Sequence, residues 1–228
     1  MRLLGHATFE VVTGSGKRVL IDPWISGNPV CPVGKEELKG PDLILITHDH
    51  FDHIGEDVPF LVQGSETVII AQPEVVGVLK ESGIEDKNFI FGMGMNIGGT
   101  VEVGGIKVTM VQAFHSSGAG SPCGFIITTE DGKKIYHPGD TGIFADMKTI
   151  GELYPLDVAL IPIGSVFVMD PVQGAAALEM LNPKKAVPMH YKTFPILVQD
   201  PNEFIRLAGE KAPGVDVVVL EPGQETEF

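Results

Sequence analysis

The chain has 228 residues, 43% hydrophobic and 20% charged, which excludes a disordered protein and predicts a single domain over residues 1–228 with a sizeable core. Its formal net charge of −14, with no Lys/Arg cluster to offset it, argues against a nucleic-acid polymer as partner, because such a field repels phosphates. No apolar run approaches the roughly 20 residues needed to span a bilayer.

Met1-Arg2-Leu3-Leu4 meets Gly5-His6 without a signal-peptide pattern, so no membrane association and a cytoplasmic location are expected. Residues Arg2–Thr13 read as a strand interrupted near Gly5-His6, and Gly14-Ser15-Gly16 turns it into a second strand, Arg18–Ile21. A Gly/Pro-rich loop then runs to Pro41 and holds Cys31. Two cysteines are too few for a disulfide framework, and Cys31 and Cys123 are expected to be reduced structural thiols. Helices are predicted over Glu56–Gln63 and Pro73–Ser82, the latter stopped by Gly83, with a strand over Thr67–Ala71 between them.

Strands follow over Asn88–Phe91, Thr100–Val103, Ile106–Gln112, Gly124–Thr129 and Lys134–His137, the last two joined by an Asp131-Gly132 turn. Helices and strands then alternate: Phe144–Leu153, Val158–Pro162, Pro171–Leu181, Ala186–Met189, Pro201–Lys211 and Val215–Leu220. Two face-to-face sheets with helices outside would fit this order; the pattern by itself specifies only α/β or α+β.

The chemistry concentrates after the apolar run Leu43–Ile46, in Thr47-His-Asp-His-Phe-Asp-His-Ile-Gly55. Three histidines and two aspartates fall within six positions. Imidazole and carboxylate are the ligands that suit Zn, Mn, Fe or Ni, and so dense a cluster is costly without a metal. The order H-x-H-x-D-H lets His48 and His50 share one ion while Asp52 and His53 face a second. A dinuclear site is therefore expected. Asp49, between the ligands, reads either as a group orienting them or as a solvated loop residue.

This motif after an apolar strand resembles the signature of the metallo-β-lactamase superfamily. The resemblance extends to His115 after Val108–Gln112, to Asp140 in Tyr136-His-Pro-Gly-Asp-Thr141, and to His190 at the end of Ala186–His190. It implies an α+β fold, the αββα four-layer sandwich, with metals at one rim. It also implies two divalent metal ions: one held by His48, His50 and His115, the other by Asp52, His53 and His190, with Asp140 as the bridging carboxylate. A metal-bound hydroxide would then cleave a small ester, lactone or phosphodiester.

Further matches at Gly5-His6-Ala7-Thr8, Ile21-Asp22-Pro23 and Met189-His190-Tyr191 resemble the stand-alone hydrolase branch related to L-ascorbate-6-phosphate lactonase. On that resemblance Asp52, His6 and His137 are catalytic candidates. Lys192 is a candidate for an anionic group on a small-molecule substrate, with a solvated surface lysine as the simpler alternative. Gly164–Met169 is a candidate apolar lip over the site. A thioesterase of the glyoxalase II type, a diiron oxygen-handling relative and a non-catalytic metal-binding protein are the alternatives, and homo-oligomerisation is left open.

Overall fold

The computed structural model describes residues 1–228 and contains two sheets. The first has five strands in chain order: β1 (Arg2–Gly5), β2 (Thr8–Val12), β3 (Arg18–Ile21), β4 (Leu43–Leu45) and β5 (Val68–Ile70). Pairing is antiparallel from β1 to β3 and parallel from β3 to β5. The second runs in the reverse order, β12 (Asp216–Val217), β11 (Lys185–Met189), β10 (Val158–Pro162), β9 (Lys134–His137), β8 (Cys123–Thr128), β7 (Ile106–Gln112) and β6 (Thr100–Val103). It too changes from antiparallel, among β6 to β9, to parallel, among β9 to β12.

Strand alternation makes the layers. Val19 and Ile21 of β3, Leu43 and Leu45 of β4, and Val158 and Leu160 of β10 belong to one core between the sheets. Their neighbours Leu20, Ile44, Ala159 and Ile161 point the other way and are equally buried. That requires helices on both outer faces. Leu20 and Ile44 pack with α1 (Lys35–Leu38), α3 (Val58–Val62) and α4 (Pro73–Glu81). Ala159 and Ile161 pack with α5 (Met147–Leu153), α6 (Pro171–Leu181) and α7 (Asn202–Lys211). The result is the four-layer αββα sandwich.

Several expectations shift. Asn88–Phe91 is not a strand: it forms short 3-10 turns, and only Phe89 bridges to Ile69. Phe91 there is left-handed at φ 55°, a conformation a strand cannot accommodate. Val215–Leu220 shortens to the two paired residues of β12. Within the histidine motif, Phe51–Ile54 forms an unexpected helical turn, α2. That turn brings the His53 ring to 4.2 Å from the His48 ring.

Candidate metal centre

Strands β4, β7, β9 and β11 deliver their following residues to one rim. His48 and His50 follow β4, Asp52 and His53 lie on α2, and His115, Asp140 and His190 follow β7, β9 and β11. The ligating atoms gather in overlapping groups, each within 4.8 Å: His48, His50 and His115; His6, Asp52, His53 and His190; and His48, His53 and Asp140 between them. The Asp140 carboxylate lies 3.1 Å from His53 Nε2, 3.0 Å from His190 Nε2 and 3.5 Å from His115 Nε2. Yet His48 Nε2, His53 Nε2, His190 Nε2 and Asp140 Oδ1 are buried without any hydrogen-bond partner. Buried polar atoms are rarely left so. Converging nitrogen and carboxylate lone pairs are what divalent cations fit.

The backbone is shaped to bring these groups together. His190 is left-handed (φ 56°), and its N–H donates to the carbonyl of His6, itself at φ 58°. A side chain on Gly164 would sit 2.0 Å from the His190 carbonyl, so only glycine lets that turn approach. Gly139, at φ 63°, likewise packs directly on Thr47: an added Cβ would lie 2.8 Å from the Thr47 Cβ. The two metal-side loops are thereby held in register.

The family model for the beta-lactamase superfamily domain matches residues 17–191, more than half of the chain. The chain belongs to the metallo-β-lactamase superfamily. It is similar to a UPF0173 metal-dependent hydrolase of Caldivirga maquilingensis, 50% identical over 98% of this chain and 95% of that protein. A UPF0173 metal-dependent hydrolase of Methanobrevibacter smithii is 43% identical over 100% of this chain and 96% of its own. Among solved structures, a metallo hydrolase of Ignicoccus hospitalis superposes with a TM-score of 0.88 at 39% identity, covering 100% of this chain and 97% of that one. The chain is thus a metal-dependent hydrolase of this superfamily.

In this superfamily member the imidazoles are aimed by a residue absent from the expected site. Asp22, fully buried at the end of β3, accepts His53 Nδ1–H at 2.7 Å, the Thr47 hydroxyl at 2.7 Å and the Thr47 backbone N–H at 2.8 Å. Because the Thr47 proton goes to Asp22, its oxygen accepts Nδ1–H of His48 at 2.9 Å. One carboxylate therefore sets the tautomer of both histidines and turns both Nε2 atoms inward. Burial would raise the Asp22 carboxyl, but the His53, His137 and His48 imidazoles outweigh it and hold it below its ordinary range. In the sequence Asp22-Pro23 was a strand end and part of the Ile21-Asp22-Pro23 match, with no role assigned to Asp22. Its left-handed backbone, φ 46°, marks it in the structure.

His53 shows the reverse balance: burial opposes its proton, while Asp140 and Asp22 on either side raise its affinity well above an ordinary histidine. For Asp140, burial is outweighed by His190 and His53, which hold it well below the carboxylate range. His6 touches the cluster at Asp52, with Nε2 3.2 Å from Oδ2, and contacts Thr193 Oγ1 at 3.0 Å through Nδ1. A carboxylate only accepts, so Nε2 carries the hydrogen. Burial first, and then the neighbouring His190, lowers His6 to about 4. Asp49 staples the motif to the loop after His115, accepting from the Ser117 hydroxyl at 2.8 Å and from the Gly118 N–H at 2.7 Å.

His137 has backbone partners on both ring nitrogens. It is fully buried, donates from Nε2 to the Ala7 carbonyl at 2.9 Å, and accepts the Gly139 N–H on Nδ1 at 3.1 Å. Nε2 thus joins β9 to the β1–β2 turn, while Nδ1 closes the loop that follows β9. Lys192 pairs with Glu221 at 3.1 Å, and both line a second cavity, beside the front one, that His6 and His190 also reach. Gly164–Met169 does reach the rim, with Phe167 lining the cavity in front of the cluster.

Proposed function

We propose that this hydrolase binds two divalent metal ions and cleaves a small ester, lactone or phosphodiester. In this reading His48, His50 and His115 hold one ion, and Asp52, His53 and His190 the other. Asp140 lies between them. Such ions, when bound, supply Lewis acidity and a water of lowered pKa as nucleophile, so no serine or cysteine is needed. The chain's own contribution is orientation. Asp22 and Thr47 fix the His48 and His53 rings, His6 steadies Asp52, and Asp49 ties the motif to the His115 loop. Substrate enters the front cavity, of about 590 Å³, lined by His50, Asp52, His115, Asp140 and His190 at its metal end.

The observation that carries this reading is the gathering of buried, unpartnered His48, His53, His190 and Asp140 atoms in overlapping groups that share His48 and His53. The test is metal analysis of protein made without added metal, followed by reconstitution with Zn, Mn, Ni or Fe. Each form is then assayed on chromogenic esters, lactones and phosphodiesters. Two ions per chain and metal-dependent cleavage are expected. Replacing His48 or His50 by Ala should remove one ion and the activity while the fold survives. Full metal content and turnover in either variant would refute the ligand assignment.

A further inference from the structure

The front cavity has a polar end and an apolar body. Beyond the histidines and carboxylates it is walled by Phe51, Phe167, Phe194 and Ile196, and no lysine or arginine lines it. Its volume falls in the range of about 300–1,000 Å³ usual for small-molecule sites. Phe51, Phe167 and Ile196 are 66%, 54% and 61% exposed, an arrangement that forgoes burial of large apolar side chains at one place on the surface.

Two features show that this wall is held in place. Trp24, itself buried, meets the Phe51 ring edge-on at 5.6 Å and stacks on Phe194 at 5.9 Å. These side chains are therefore ordered before any ligand arrives. Phe167 sits on a turn in which Ser165 and Val166 are both left-handed, at φ 63° and 57°. For a β-branched residue that conformation is an outlier, and such strain persists only where surrounding bonds impose it. Here the Ser165 N–H donates to the Met169 carbonyl and the Met169 N–H to Thr141, each at 3.0 Å. Thr141 directly follows Asp140. The strained turn is thus pinned to the metal side and presents Phe167 to the cavity.

Building on the hydrolase reading, we infer that the substrate is an uncharged carboxylic ester or lactone. Its acyl part is an apolar chain or aromatic ring seated against Phe51, Phe167, Phe194 and Ile196. The scissile carbonyl faces the histidine and carboxylate end. In the reaction a water oxygen bonds the acyl carbon, and the acyl C–O bond breaks with its electron pair going to the leaving oxygen. That oxygen takes a proton, giving a carboxylate, an alcohol and one released proton. A sugar phosphate or an acyl group ending in carboxylate would bury its remote charge against aromatic rings with no cation to pair it. The chain's overall charge of −14 opposes such substrates further.

The test uses the metal-loaded protein with p-nitrophenyl acetate, butyrate and octanoate, and with the p-nitrophenyl half-ester of glutaric acid. The expected kcat/KM rises up to about fourfold per added methylene until the cavity fills. The glutarate half-ester should run at least about tenfold below butyrate, given its unpaired charge. Phe51→Ala and Phe167→Ala should lower the octanoate rate more than the acetate rate. In parallel, calorimetry with alkyl hydroxamates of increasing tail length reads the apolar seat without turnover, and the same chain-length dependence is expected.

A flat profile, or a preference for the charged half-ester or a sugar phosphate, overturns the inference while leaving the hydrolase reading intact. Tail-dependent hydroxamate binding without cleavage of any ester supports the apolar seat and overturns the hydrolase reading instead. If Phe51→Ala and Phe167→Ala weaken self-association in sedimentation and leave the chain-length profile unchanged, the wall is a subunit interface and the inference falls.

Discussion

Asp22 Oδ2 and His53 Nδ1 meet 2.7 Å apart, and neither side chain has any exposed surface. This contact joins a strand of the first sheet to the helical turn of the histidine motif. It also extends through the Thr47 hydroxyl to His48, so one carboxylate reaches a member of each three-ligand set.

Asp22→Asn tests this role with little backbone disturbance, because asparagine tolerates the left-handed conformation that Asp22 adopts at φ 46°. The amide removes the charge and one acceptor. Metal affinity should fall by about 10–100-fold, the usual cost of losing a group that orients a ligand. Far-UV circular dichroism should be unchanged. Wild-type affinity in a competition assay with a chromogenic chelator would show that the imidazoles need no such support.

Metal uptake should be linked to protons. His53 holds its proton well above the usual pH because Asp140 and Asp22 outweigh burial, so metal-free protein is protonated there at neutral pH. An ion bound at Nε2 must displace that proton. Affinity should therefore rise with pH and weaken on acidification. Calorimetric heats at neutral pH should vary with the ionisation enthalpy of the buffer. Buffer-independent heats would mean that His53 is already neutral.

His6→Asn keeps a residue tolerant of φ 58° while removing the partner of Asp52. The ion on the Asp52, His53 and His190 side should weaken by about 10–100-fold, and the ion on the His48, His50 and His115 side should remain. Metal stoichiometry at limiting and saturating metal separates the two. If both ions stay tightly bound and turnover still collapses, His6 acts on the substrate directly.

His137→Leu removes a link between the sheets and should leave the metal count unaltered. The Ala7 carbonyl and Gly139 N–H both lose their partner. Each buried group left unpaired costs about 1–3 kcal/mol, so urea denaturation should show a clear loss of stability. A variant of normal stability that is inactive with both ions bound would return His137 to the chemistry.

The candidate metal-binding residues could be named from the sequence because their chemistry is local in kind even though their positions are distant. Each of His48, His115, Asp140 and His190 lies one to three residues past the end of a strand, and these strand ends meet at one rim. Strand period and the resemblance together account for the four layers, since buried residues on both faces of β3, β4 and β10 demand cover on both sides.

What the sequence left open depended on contacts between segments far apart in the chain. His6 and His137 looked alike, each a histidine beside a glycine or proline near a strand end. Only the tertiary structure decided that His6 Nε2 meets Asp52 while His137 is closed off by Ala7 and Gly139. Asp22 ended a strand and belonged to a matching tripeptide but carried no sign of its role, because its partners Thr47 and His53 are 25 and 31 residues away. Lys192 read either as a contact for an anionic group or as a solvated lysine, and its pairing with Glu221 lies across 29 residues of sequence. A sequence specifies which donors and acceptors exist and how strongly each segment prefers its local form. Which donor meets which acceptor is settled by packing two sheets face to face, where a buried polar atom must find its partner across the fold.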